Sequence, residues 1–267
     1  MGQSRQIELK SPSDLERMRR AGRLAAQVLE AVGRAVAPGV TTKELDRLAE
    51  KFIRDAGGVP TFLGYRGYTA SICASINEEV VHGIPSPKRV LRDGDIVGID
   101  VGATLGGFVG DTAATFGVGR ISEAATALLR ATRDSLNQGI AATRVGNRLG
   151  DVSAAIQRVA ESQGYSVVRD FVGHGIGRNM HEEPSVPNYG TAGSGIRLEV
   201  GLVVALEPMV NVGTWRVQVL KDGWTVVTED NQLSAHFEHT VAVTEAGPEI
   251  LTQVAATAAQ GSNDQRR

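Results

Sequence analysis

Apolar residues recur at helical spacing directly after Ser11-Pro12-Ser13, with Leu15, Met18, Ala21, Leu24, Ala25, Val28, Leu29 and Val32 on one face. The pattern predicts a helix of about twenty residues in which Gly22 is the one weak helix former. Ala37-Pro38-Gly39 stops it, and Thr41-Thr42 then offers an N-cap pair. Leu45, Leu48, Ala49, Phe52 and Ile53 form a second apolar stripe that ends at Gly57-Gly58. A second helix pair is expected over 122–137 and 151–162, separated by Gly146 and closed by Gly164. Displacement by 107 positions superposes Gly39 on Gly146, Leu45 on Val152, Ala49 on Ile156, Phe52 on Val159 and Gly57 on Gly164. The chain therefore reads as two similar halves, each a helix pair followed by strands.

Between and after the helices lie short Val/Ile/Thr-rich runs bounded by glycine, at 95–103, 108–116, 200–207, 216–220 and 237–244. Strand runs alternating with helix pairs indicate an α+β domain with a mainly antiparallel sheet. No Pro/Ser-rich linker divides the chain, so residues 11–252 are expected to form a single domain. Residues 1–10 read as a short extension, and 253–267, containing AATAAQGSNDQRR, as a flexible solvated tail.

Charge changes this picture little. The 267 residues include 28 Lys and Arg against 30 Asp and Glu, a formal charge of −2 that gives no electrostatic reason to expect nucleic acid or an anionic membrane. Cys73 is the one cysteine, so no intramolecular disulfide forms and a reducing compartment suits the chain. MGQSRQIELKSPSDLERMRR has no apolar signal core, Gln6 breaks a myristoylation pattern, and no run approaches the roughly 18 apolar residues of a membrane span. A cytoplasmic protein is expected.

Five residues able to bind metal stand inside segments that otherwise read as buried: Asp100 in GDIVGIDVG, Asp111 in GFVGDTAATF, His174 in DFVGHGIG, Glu207 in VVALEPMV and Glu238 in HFEHTVAV. A carboxylate taken out of water costs several kcal/mol unless it is paired or bound to a cation. Four such acids in apolar strands point to a shared metal centre. If DIVGIDVGATLGGFVGDTAATF is a hairpin turning at Leu105-Gly106, Asp100 falls directly opposite Asp111, with Cβ atoms about 4.5–5.5 Å apart. Opposed like charges destabilise a strand pair, and two divalent ions about 3.5–4 Å apart resolve the conflict. Glycines 98, 102 and 110 are then expected to leave room for ions, water and substrate. The glycines around His174 allow close backbone approach while leaving its imidazole accessible.

The order and spacing of these motifs resemble the type I methionine aminopeptidases of the pita-bread fold. The resemblance rests on SPSDLERMRRAGRLAAQVLE, SICASINEEVVHGIP, GDIVGIDVG, GDTAATF, GHGIGRNMHEEP, LEPMVN, KDGWTV and SAHFEHTVAVTE, and spans residues 8–251. It implies two pseudo-symmetric halves around a central, mainly antiparallel sheet covered by helices. It implies two divalent metal ions, of Co, Mn, Fe(II) or Zn, held by Asp100, Asp111, His174, Glu207 and Glu238. Glu207 would also move the proton of the attacking water, and His82 and His181 would bind substrate and stabilise the oxyanion. Phe62, Tyr65, Tyr68, Cys73, His82, Met180, His181 and Trp224 would bind substrate at the methionine cavity, where Phe62, Arg66 and Met180 are positions at which family members vary. The implied activity is removal of N-terminal methionine from nascent chains, favouring a small second residue, by a monomer in transient contact with the ribosome. The alternatives are an X-Pro peptidase on the same fold, or a binding protein that keeps the fold without catalysis.

Overall fold

The first helix, α1 (Pro12–Ala35), starts where the sequence places its cap. The Ser11 side chain accepts from the Asp14 amide and the Asp14 carboxylate accepts from the Ser11 amide, while Pro12 needs no hydrogen-bond acceptor at the first position. A second capping box, Thr41 with Glu44, opens α2 (Thr42–Asp55). The later pair is α3 (Glu123–Ala142), capped by Ser122, and α4 (Leu149–Ser162). In this computed structural model residues 7–254 are described; of the tail expected at 253–267, residues 255–267 lie outside them, as do residues 1–6.

Two helix boundaries differ from the pattern reading. α3 continues past Asn137 to Ala142 because Gly139, which reads as a breaker, is the point of close contact with α4; a Cβ there would lie 2.6 Å from Ile156 Cγ1. α4 begins before Asp151 because Asp151 is the third residue of its first turn, accepting from the Arg148 amide.

Nine strands form the main sheet: β1 (Val59–Pro60), β2 (Cys73–Ile76), β4 (Ile96–Leu105), β5 (Phe108–Gly117), β7 (Gly173–Gly175), β8 (Glu182–Val186), β9 (Val203–Leu206), β14 (Glu238–Thr244) and β15 (Gly247–Ile250). Their order is β1-β4-β5-β14-β9-β7-β8, with β2 also on β4 and β15 also on β14, and every pairing is antiparallel. Two three-stranded sheets flank it, one of β3 (Glu79–Val81), β11 (Val217–Val219) and β12 (Val226–Thr228), the other of β6 (Ser166–Val167), β10 (Met209–Asn211) and β13 (Ser234–His236). The α+β expectation holds. The expected run at 200–207 shortens to β9 because Gly201 takes a left-handed φ of 91° before it.

The two-half organisation is present in the backbone. Displaced by 107 positions, α2 falls on α4 end to end, and the left-handed glycines 39 and 57 fall on 146 and 164. The isolated bridge Thr41 to Val90 falls on Arg148 to Arg197. Each helix pair covers its own core: Leu24, Val28, Leu45 and Ile53 pack against Ile99 and Val101 in one half, while Leu136, Val152 and Ile156 pack against Val204 and Val241 in the other.

Candidate metal centre

The β4–β5 hairpin supplies two of the acids, in a register that corrects the expectation. Gly106 and Gly107 both take left-handed φ values, 59° and 80°, so the two glycines make the turn and Leu105 stays in the strand opposite Phe108. Asp100 therefore pairs with Ala113, and Asp111 with Gly102. The two acids are diagonal rather than directly opposed. They keep the same face, because moving the turn by one position shifts every partner by two.

The glycines also act differently from the expectation. Gly110 lets α1 approach β5, since a Cβ there would lie 2.5 Å from the backbone of Gly22. Gly102 accommodates the Phe62 ring at 2.5 Å in the same sense. Around the histidine, a Cβ on Gly173 would meet Ala205 O at 2.3 Å and one on Gly175 would meet Glu183 O at 2.1 Å, so both serve the packing of β7 between β9 and β8.

The structure gathers all five candidate ligands at one cavity of about 140 Å³. Asp111, His174 and Glu238, all buried, bring one ligand atom each to within 4.8 Å of one another. His174 Nε2 is 3.6 Å from both Asp111 Oδ2 and Glu207 Oε1. His174 Nδ1 lies 2.9 Å from Gly175 O, so the ring donates there and leaves Nε2 free as an acceptor facing the acids. Thr240 Oγ1 accepts from the Asp111 amide and donates to its carbonyl, fixing that residue from the neighbouring strand.

The donor set fits divalent cations. Asp100 Oδ1, Asp111 Oδ1 and Glu238 Oε1 are buried without a hydrogen-bond partner. Burial pushes the Asp100, Glu207 and Glu238 carboxyls well above the usual carboxylate range, and the charge of Asp111 adds to the shift in each. Among the described residues Arg66, stacked on the Tyr65 ring 5.4 Å away, is the one Lys or Arg lining the cavity, too little to neutralise four acids. Carboxylates with one imidazole are a donor set suited to Mn, Fe, Co or Zn.

The rest of the lining consists of the residues expected at the substrate cavity: Phe62, Tyr65, Tyr68, Cys73, His82, Met180, His181 and Trp224. Tyr68 and Trp224 meet edge to face at 5.0 Å, and the Tyr68 hydroxyl shares its proton between Ile72 O and Gly83 O. Burial pushes the Cys73 thiol up, so it is a neutral wall rather than a nucleophile. His82 takes a left-handed φ of 62° and packs between Trp224 and Phe171. Burial lowers its pKa to about 4, and the same cause, reinforced by His174 and Arg66, lowers that of His181 to about 3. Both are neutral imidazoles at pH 7. His181 stands at the mouth, 4.2 Å from the His174 ring, with Nδ1 2.8 Å from the Tyr65 hydroxyl.

Two contributors escape the sequence reading. Phe171 backs His82, and His236 is buried with Nε2 4.0 Å from Glu207 Oε2. The only signal for His236 is its place two residues before Glu238 on the same alternation.

A metal centre of buried carboxylates and one imidazole, opening on an apolar cleft flanked by neutral histidines, is the apparatus of a metal-dependent hydrolase. The profile of metallopeptidase family M24 matches residues 16–245, and the chain belongs to that family. It is 53% identical over 246 residues to the methionine aminopeptidase of Clostridium acetobutylicum, covering 92% of this chain and 98% of that one. It superposes on the crystal structure of methionine aminopeptidase from Rickettsia prowazekii with a TM-score of 0.91 and 46% identity, over 92% of this chain and all of that one. Prolidase from Pyrococcus furiosus shares the fold, with a TM-score of 0.71 at 20% identity, over 92% of this chain and 65% of that one.

Proposed function

We propose that this enzyme removes methionine from the N-terminus of polypeptides, preferring a small second residue. The supporting observation is that an apolar pocket walled by Phe62, Tyr68, Cys73, Met180 and Trp224 shares one cavity with the carboxylate and histidine cluster. A thioether side chain suits aromatic edges and a thiol sulfur.

Asp100, Asp111, His174, Glu207 and Glu238 would hold two divalent cations, whose contribution in such a site is Lewis-acid polarisation and a lowered pKa of water. Glu207, which lines the cavity with its side chain 14% exposed, would take the proton of the attacking water and return it to the leaving amine. His181 and His82, both neutral, donate N–H groups to the substrate carbonyl and to the charge that develops on it. Tyr65 holds His181 in the required tautomer by donating its O–H to Nδ1, which leaves the proton on Nε2. The acids near Asp100 and Asp111 attract the substrate's free α-ammonium group, which restricts cleavage to the first bond.

The same reading has the enzyme act in the cytoplasm, as a monomer on nascent chains in transient contact with the ribosome; the single free, buried cysteine fits a reducing compartment.

The test compares a peptide beginning Met-Ala-Ser with one beginning X-Pro after chelation and readdition of Mn, Fe(II), Co or Zn under anaerobic conditions. Release of methionine from the first, lost on chelation and restored by metal, is the expected result. Cleavage of the X-Pro peptide alone, or full metal-dependent activity in Asp100→Asn, overturns it.

A further inference from the structure

His236 is a buried polar group without a described partner. Its side chain is 4% exposed, and Nε2 makes no hydrogen bond. Its backbone is held on both sides, since its amide donates to Thr115 Oγ1 and the Thr115 hydroxyl donates to its carbonyl, each at 2.9 Å. Across the β10–β13 ladder it pairs with Met209, two residues beyond Glu207. The imidazole has no freedom to leave by a backbone shift.

Among the described residues the acid it faces is Glu207, with Oε2 4.0 Å from Nε2. Glu207 has no other anchor: among the described residues no side chain donates to its carboxylate, while Asn188 holds only its carbonyl, at 3.1 Å. His236 does not line the cavity whereas Glu207 does, so Glu207 stands between His236 and the substrate. A proton on Nε2 of this imidazole is directed at Glu207 Oε2, the carboxylate oxygen it faces. A carboxylate that must both hold a cation and carry a proton needs a fixed orientation, and a second hydrogen bond from behind is the usual means.

We propose that His236 is the positioning residue for Glu207: a small movement that closes the 4.0 Å gap lets Nε2–H donate to Oε2, fixing the carboxylate so that Oε1 faces His174 and the cation site. The inference rests on the proposed ligand role of Glu207. It assigns His236 no contact with substrate or cation.

The test is calorimetric titration of the metal-free protein with Mn²⁺, without substrate, for wild type, His236→Ala, His236→Gln and His236→Asn, with His174→Ala as control. His236→Ala is expected to weaken the tighter site by about 10- to 100-fold. Gln, whose amide reaches as far as the imidazole nitrogen, restores it to within about threefold, and Asn, one methylene shorter, does not. If His236→Ala does not fold, the Gln and Asn pair decides: tight binding in Gln and weak binding in Asn carries the proposal, and equal binding in both overturns it. Wild-type affinity in His236→Ala also overturns it. So does weak binding in His236→Gln accompanied by a changed Co²⁺ absorption spectrum, which makes His236 a ligand. If His174→Ala binds Mn²⁺ as wild type does, the ligand assignment itself fails, and that failure is separate.

Discussion

Replacing Glu238 with Gln should stabilise the metal-free protein while weakening the metal-loaded one. Glu238 is 2% exposed, Oε1 has no partner, and its carboxylate lies within 4.8 Å of an Asp111 oxygen. At an effective dielectric of about 20, two ionised carboxylates 4.8 Å apart repel by about 3.5 kcal/mol. The protein can avoid this by protonating one of them, but holding a Glu protonated at pH 7 against an unfolded value near 4.3 costs about 3.7 kcal/mol. Both routes give a burden of about 3 kcal/mol, and Gln removes it without changing shape while adding an N–H that can donate to Asp111. For a chain of this size that corresponds to a rise in Tm of about 6–12 °C in the presence of chelator. In saturating Mn²⁺ the order reverses. The wild type gains about 4 kcal/mol at a thousandfold excess over Kd, whereas the variant, short of one anionic ligand, gains less. Scanning calorimetry of both proteins with chelator and with Mn²⁺ reads all four values. A variant that melts at or below the wild type in chelator refutes the electrostatic reasoning.

Tyr65→Phe removes the O–H that sets the His181 tautomer; kcat on a Met-Ala-Ser peptide should fall about tenfold with KM nearly unchanged, and ¹⁵N shifts of His181 should show the protonated nitrogen changing. An unchanged kcat removes Tyr65 from that role. His239, half-buried beside Thr252, is lowered to about 4 by desolvation, so its stabilising contribution is present above the unfolded value near 6.5 and is lost as pH falls from there toward 4. Relative to His239→Gln, the wild type should lose about 1.4 kcal/mol per pH unit across that window in denaturant titrations, and a constant difference contradicts the assignment. Gly110→Ala should cost about 1–3 kcal/mol by forcing α1 off β5 at Gly22, and a variant as stable as wild type would show that the contact yields freely.

The helices were legible because their signals are local. Ser11, Thr41 and Ser122 cap where a side-chain oxygen precedes an apolar stripe, and the left-handed glycines 57 and 164 end two of them. The four acids were legible as a group because a carboxylate in an apolar strand has few explanations, and the structure brings all four to one cavity. The hairpin register was not, since either Leu105-Gly106 or Gly106-Gly107 satisfies the sequence and only the backbone conformation at Gly107 decides. The error left both acids on the correct face because a turn displaced by one position preserves alternation. The purposes of Gly102 and Gly110 depend on Phe62 and Gly22, distant in sequence, and no local pattern carries them. His236 reads as one more core residue in a strand, and its relation to Glu207 exists only once β10 and β13 are paired.

The two halves explain why the acids are scattered along the chain. The displacement of 107 that carries α2 onto α4 also carries Ile96 at the start of β4 onto Val203 at the start of β9, and Asp100 onto Glu207. Within the main sheet the halves meet where β5 pairs with β14 through Glu238 opposite Ala113 and His239 opposite Thr112, a ladder of two positions. Threonine hydroxyls reinforce that short seam, Thr112 donating to Glu238 O and Thr240 to Asp111 O. Asp100 and Asp111 come from the first half, and His174, Glu207 and Glu238 from the second. Neither half alone assembles the ligand set, and in the metal-free protein the acids repel one another across the seam. Cations bound there would convert that repulsion into attraction and tie the halves together. The charge that makes the site reactive is thus placed where its neutralisation also completes the fold.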